Sequence, residues 1–129
     1  MPRPAIKANI DWKATLGSEW RQYEAIFPAL ARSRIGQISV ECRNSRVPIA
    51  LLKLLRGKDV QVGVIDVANE KVETAHEVAA VIGEALNYLP KEAIIAGTNC
   101  GMAPMRWDVA FAKLAALGKG AELARKRFQ

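Results

Sequence analysis

The stretch Gly97-Thr98-Asn99-Cys100-Gly101-Met102-Ala103-Pro104 follows a short apolar run at residues 93–96 and precedes a long helical pattern. Glycine allows the backbone conformations that a tight turn needs, and proline suits the first turn of a helix. The stretch therefore predicts a strand-to-helix turn that holds a thiol. Because ligands collect at the carboxyl ends of strands in parallel α/β proteins, Cys100 is placed for chemistry. The alternative is a small buried residue in a tight turn.

Two other runs, at residues 37–41 and 60–65, also predict strands, since they are short, rich in β-branched residues and bounded by turn residues. Residues 4–10 form either a fourth strand or an extended lead-in. The strands alternate with helical patterns, which predicts a parallel sheet with right-handed crossovers. Three nearly continuous apolar strands make a poor sheet by themselves, so we expect an edge that needs covering.

Four helical patterns lie between and around these strands. Pro28 indicates a break or a new start within the first of them, and Thr74 with Glu77 forms a capping box for the third. Asn44 or Ser45 is the expected cap of the second, and Leu114 is among the expected core positions of the fourth. The predicted helices cover residues 13–31, 47–55, 74–89 and 105–127.

The composition is that of one globular domain. The chain has 129 residues, half of them hydrophobic, and a formal charge of +6 that is scattered along its length. We find neither a basic face with interleaved aromatic residues nor a nucleic-acid-reading motif, and no apolar run approaches the roughly 20 residues that span a bilayer. The start of the sequence lacks the apolar stretch of a signal peptide. We therefore expect a cytoplasmic protein without nucleic-acid or membrane partners.

Three segments carry a resemblance to a known family. They are Ile38-Ser39-Val40-Glu41-Cys42, then Val62-Gly63-Val64-Ile65-Asp66-Val67 with 72–74, then Thr98-Asn99-Cys100-Gly101-Met102 before 111–114. In this order they resemble the end of the catalytic barrel of the cobalamin-independent methionine synthase family, with a closer similarity to shorter proteins that carry only the C-terminal barrel. The resemblance runs from about Tyr23 to the C-terminus.

This resemblance implies an α/β fold made of the C-terminal three to four (β/α) units of a TIM barrel with parallel strands, a partial barrel. A complete barrel needs about 250 residues, roughly twice the length of this chain. The whole chain, residues 1–129, is then a single partial-barrel domain. Its first 22 residues form a lead-in and first-helix region, where the resemblance is weakest, and residues 23–129 are the methionine-synthase-like part.

The family's chemistry implies a zinc ion that holds the substrate thiol as a thiolate for methyl transfer. The family's zinc ligands are a His-x-Cys pair, a glutamate at the end of the next strand and a cysteine in the Asn-Cys-Gly turn. The last two fall on Glu41 and Cys100. The His-x-Cys pair has no counterpart, since His76 lies at the start of a helix as a surface residue. The resemblance thus implies a zinc site that is incomplete in this chain.

Other residues are open to two interpretations. Asp66, at the end of the second strand, either contacts a substrate amine or caps the following loop. Cys42 follows Glu41 on a strand, so it points to the opposite face and is expected in the core. Three arginines just after the strand ends either attract an anionic folate or form a solvated rim: Arg43, Arg46 and Arg106. Three tryptophans are expected in the core or at an interface: Trp12, Trp20 and Trp107.

Three functional hypotheses follow. The first is a fragment or truncated relative of a zinc-dependent methyltransferase that makes methionine from homocysteine and methyltetrahydrofolate. It is inactive as this chain alone and is completed by a complementary barrel half. The second is a non-catalytic scaffold or interaction domain that self-associates as a homo-oligomer, because a second copy could cover the exposed edge. The third is zinc-dependent alkyl transfer to another thiol, such as coenzyme M.

Overall fold

A three-stranded parallel sheet lies at the centre of the structure, a computed structural model that describes residues 22–129. Its strands are β1 (Gln37–Glu41), β2 (Asp59–Ile65) and β3 (Ile94–Thr98), in the order β1-β2-β3. All three run in the same direction, so their carboxyl ends meet at one edge of the sheet. The three predicted strands and their parallel pairing are confirmed.

Helical segments alternate with the strands. Helix α1 (Tyr23–Arg32) comes before β1, α2 (Ala75–Ala85) connects β2 to β3, and α3 (Trp107–Arg127) follows β3. The capping box predicted for α2 is present, with both hydrogen bonds formed between Thr74 and Glu77. Helix α1 runs through Pro28, so the expected break at this proline is wrong, although the helix does begin nearby, at Tyr23. The predicted segments 4–10 and 13–21 lie outside the described residues.

The segment between β1 and β2 is a 3₁₀ helix, Ile49–Leu55, and not the predicted α-helix. Pro48 lies at its start in an extended conformation and no side chain caps it, because Ser45 Oγ instead accepts a hydrogen bond from the Val47 N–H. The leucines of this segment are buried in the core. Their burial replaces the stabilisation that a cap and the i-to-i+4 hydrogen bonds of an α-helix would give.

The core lies on one face of the sheet. Val60, Val62 and Val64 of β2 are fully buried there and pack against the apolar side of α2. The opposite face carries side chains that are only partly buried or exposed, such as Ser39, Gln61 and Ile95. Within residues 22–129 the helices cover one face of the parallel sheet and the second face is open, which is the form of consecutive units of an unclosed α/β barrel. The predicted fold class is confirmed.

Helix α3 buries a face that the apolar pattern did not indicate. Leu114, expected in the core, is half-exposed, whereas Lys113 is fully buried. The buried face consists of Lys113, Ala116, Gly120 and Ala124 because small residues allow α3 to approach α2 closely. An added Cβ at Gly120 would lie 2.3 Å from Val78 of α2.

Within residues 22–129, no helix combines the length and apolar character needed to cross a bilayer.

Candidate functional site

The two predicted metal ligands lie at the carboxyl edge of the sheet. Glu41 is the last residue of β1, and Cys100 lies in the turn that follows β3. Both residues are exposed, and neither the carboxylate nor the thiol forms a hydrogen bond or ion pair with another described residue. Their donor atoms are therefore available to a ligand.

A side-chain amide links the segment directly after Glu41 to the turn that carries Cys100. Asn99 Nδ2 donates a hydrogen bond to the Arg43 carbonyl at 2.8 Å, and Asn99 Oδ1 accepts one from the Arg43 N–H at 3.4 Å. The Asn99 N–H also donates to the Ile65 carbonyl at 2.9 Å. Asn99 therefore connects the ends of all three strands, a role that sequence reasoning missed.

The edge contains two separate depressions. One, of about 500 Å³, is lined by Glu41, Arg46 and Asn99 among others. The second, of about 430 Å³, is lined by Cys100 and by residues of the loop that follows β2. The structure thus places Glu41 and Cys100 at the same edge but in different depressions, with Asn99 lining the first and standing next to Cys100 in the chain.

Asp66 lies directly after β2 and is 6% exposed. Its Oδ1 accepts a hydrogen bond from the Ala68 N–H at 2.8 Å, and its Oδ2 accepts from the side-chain amides of Asn44 and Asn69. Asn44 has a positive φ of 51°, a conformation that asparagine tolerates better than most residues. These contacts are those of a residue that caps the following loop and ties it to the loop after β1.

A buried ion pair supports the same loop from the side of α3. Lys113 Nζ lies 3.0 Å from Glu73 Oε2 and donates to the Asp66 carbonyl at 2.9 Å. Glu73 Oε1 in turn accepts a hydrogen bond from the Asp66 N–H at 2.9 Å. The main chain of Asp66 is therefore held on both sides. The signal in the sequence is the lysine itself, which interrupts a predicted apolar stripe.

Glu77 forms ion pairs with two cationic side chains near this edge. It contacts the guanidinium of Arg43 and the ammonium of Lys71, each at 3.2 Å. The Thr74 N–H, followed by Lys71, lowers the pKa of the Glu77 carboxyl to about 2. Arg106 is exposed and contacts Asp108 at 2.7 Å. Arg43 and Arg106, two of the predicted rim arginines, thus each form an ion pair with an acidic side chain of this chain.

The other candidate residues lie away from the donors. Cys42 packs against the core, as predicted, and burial raises the pKa of its thiol to about 12. His76 is exposed in the first turn of α2, as predicted, 3.3 Å from Arg127. Trp107 is 79% exposed, so it is not a core residue of the described chain. Trp12 and Trp20 lie outside the described residues.

The chemistry of the donors agrees with zinc, which accepts carboxylate oxygen and thiolate sulfur. A catalytic zinc site usually has three protein ligands. Within residues 22–129, no group of three or more histidine, cysteine, aspartate or glutamate residues is arranged to hold a metal ion. Glu41 and Cys100 therefore fit as two ligands of a site that needs a further donor from elsewhere.

The fold and the site define a class: part of an α/β barrel with candidate donors at the carboxyl ends of its strands. Residues 18–123 match the family model described as the catalytic domain of cobalamin-independent synthase. The chain therefore belongs to the cobalamin-independent methionine synthase family, as its sequence motifs indicated.

The relatives confirm this assignment. A methionine synthase of Sulfurisphaera tokodaii is 30% identical over 94% of this chain and 36% of its own length, and one from Pyrococcus abyssi is 32% identical over 74% and 29%. A B12-independent methionine synthase from Shewanella sp. W3-18-1, solved in complex with selenomethionine, is 55% identical, with a TM-score of 0.86, over 95% of this chain and 36% of that protein. The chain spans about a third of the length of these relatives.

Proposed function

We propose that this chain is the C-terminal section of a methyltransferase barrel that transfers a methyl group from a methylated folate to the thiol of homocysteine. The observation that supports the proposal best is the pair of available donors, Glu41 and Cys100, at the carboxyl ends of β1 and β3. Membership of the methionine synthase family supports the reaction type.

Glu41 and Cys100 would be two of the protein ligands of a zinc ion. Zinc bound there would keep the substrate thiol deprotonated near neutral pH, as the thiolate nucleophile. The missing donors would come from a complementary barrel section, because the sequence holds one histidine, His76, and its only other cysteine, Cys42, is directed into the core. On this proposal the chain is inactive alone.

Asp66 is the residue that we propose for binding the substrate amine. Its carboxylate already accepts three hydrogen bonds, so an ammonium group would replace Asn44 or Asn69 as a partner. The exchange would leave the contact with the Ala68 N–H in place. A cytoplasmic location, with a thiol and a methylated folate as the small-molecule partners, belongs to the same proposal.

Zinc analysis tests this proposal. The chain is mixed with the section of the Shewanella relative that it does not cover, and the metal content of the purified complex is measured under reducing conditions. We expect about one zinc per complex, lost in Cys100→Ser and strongly reduced in Glu41→Gln. The matched control, Cys42→Ser, keeps its zinc. A complex that forms without zinc, or that retains zinc in Cys100→Ser, contradicts the proposal.

A second candidate function, a self-associating scaffold, is favoured by the outer side of α3. Trp107, Phe111 and Leu114 form an exposed apolar stripe, and the first two rings stack with centroids 5.4 Å apart. Exposed apolar patches of this kind mark interaction surfaces. Sedimentation velocity of the chain alone tests the candidate: a dimer that Phe111→Lys converts to a monomer supports it, and a monomer at all micromolar concentrations refutes it.

A further inference from the structure

The loops after β1 and β3 are joined by a reciprocal pair of hydrogen bonds. The Asn99 side chain both donates to and accepts from the main chain of Arg43, 56 residues away. Arg43 lies two residues after Glu41, and Asn99 immediately precedes Cys100. This amide therefore ties the segment after one donor to the turn that carries the other.

The amide also occupies space that a glycine leaves open. Gly63 lies on β2 between Glu41 and Gly97 in the sheet register. A Cβ added to Gly63 would come within 2.4 Å of Asn99 Oδ1, 2.9 Å of Asn99 Cα and 3.1 Å of the Val40 carbonyl. Two of these three atoms belong to the backbone and have little freedom to move. Glycine at position 63 is therefore required for Asn99 to cross β2.

We propose that Asn99 is a positioning residue that fixes the Cys100 turn against the segment directly after Glu41, so that both donors can reach one metal ion, with Gly63 as the glycine that admits it. The inference rests on the proposed function for its natural metal. It is supported by the two donor side chains themselves, which have no partner among the described residues. Glu41 ends β1 and is placed by its pairing with Gly63, whereas Cys100 lies in the turn after β3, and Asn99 ties that turn to the segment directly after Glu41.

The experiment replaces the native donor pair with one whose metal binding needs no third ligand. In the full-length chain with Cys42→Ser, Glu41→Cys creates a second thiol beside Cys100, and Cd²⁺ binding is titrated by thiolate-to-metal absorption. We expect tighter Cd²⁺ binding than in the chain that retains Glu41. Adding Asn99→Ala weakens that binding about tenfold or more, which is typical for loss of a residue that orients metal ligands.

Two further variants make the result specific. Asn87→Ala removes an exposed side-chain amide that lies beyond the end of α2, away from both donors, and leaves Cd²⁺ affinity unchanged. Asn99→Asp keeps the acceptor for the Arg43 N–H but loses the donor, so its Cd²⁺ affinity falls between those of the parent and Asn99→Ala. It also replaces Asn99→Ala in the test if circular dichroism shows that Asn99→Ala does not fold. Amide exchange at Arg43 rises in Asn99→Ala and much less in Asn99→Asp, which still accepts from the Arg43 N–H.

The proposal is overturned if Asn99→Ala binds Cd²⁺ as tightly as its parent, or if Glu41→Cys gives no tighter binding than Glu41. Its failure is distinguishable from failure of the proposed function. Native zinc content decides whether Glu41 and Cys100 serve a methyltransferase site, whereas the Cd²⁺ titration decides only whether Asn99 holds the two positions together.

Discussion

Removing the ammonium group of Lys113 should be among the most damaging single changes in this chain. The side chain is fully buried, and its partner Glu73 is 3% exposed at the side chain. Lys113→Met keeps the length and apolar stem but leaves the Glu73 carboxylate buried, with the Asp66 N–H as its remaining hydrogen-bond donor. Breaking a buried pair in this way costs about 3–5 kcal/mol. The total stability of such a domain is about 5–15 kcal/mol, so the loss is a large fraction of it.

Urea unfolding, followed by far-UV circular dichroism, measures this loss. The double variant Lys113→Met/Glu73→Gln should recover most of it, because no uncompensated charge then remains in the core. Lys126→Met is the control on the same helix: it removes an exposed pair with Glu122 and should change the free energy of unfolding far less than Lys113→Met does. A loss below about 1 kcal/mol for Lys113→Met, or no recovery in the double variant, would refute the reasoning.

Three other predictions concern reactivity, acid stability and helix packing. Because burial raises the pKa of Cys42 to about 12, iodoacetamide at pH 8 should add one label per chain, which Cys100→Ser abolishes in intact-mass spectra. The pKa of Glu77 is lowered from 4.5 to about 2, so its contribution to stability is complete above pH 4.5 and is lost as the pH falls towards 2; Glu77→Gln should flatten the dependence of Tm on pH in that window. Gly120→Ala should lower Tm, because its Cβ would lie 2.3 Å from Val78, whereas Gly118→Ala on the open side of the same helix should stabilise the chain by about 0.5–1 kcal/mol.

Local sequence patterns were sufficient for the strands, for α2 and for the turn that carries Cys100, whereas Glu41 was singled out by the family resemblance. Residues 37–41 and 60–65 are short β-branched runs between turn residues, and nothing in their surroundings competes with an extended conformation. The Thr74–Glu77 capping box needs no tertiary contact to form. The parallel order of the strands then places the ends of β1 and β3, with Glu41 and Cys100, at one edge.

The features that the sequence did not reveal depend on distant contacts. The choice between Lys113 and Leu114 for the buried side of α3 is decided by the close approach of α2 and by Glu73, which neutralises the lysine. The link between Asn99 and Arg43 joins residues that local periodicity cannot relate. The 3₁₀ geometry of Ile49–Leu55 is likewise not indicated by local sequence, since its leucines have high α-helix propensity.

Two deficiencies of the described chain point to one kind of partner. On the proposed function the donor pair needs at least one more ligand, and in residues 22–129 the open face of the sheet and the apolar stripe of Trp107, Phe111 and Leu114 are uncovered. A second copy of this chain could cover the stripe, but the donors that it carries at its strand ends are again Glu41 and Cys100, with no histidine there. A complementary barrel section meets both needs at once. Zinc incorporation and burial of Trp107 should therefore occur together with such a section, whereas self-association should bury Trp107 without creating a zinc site.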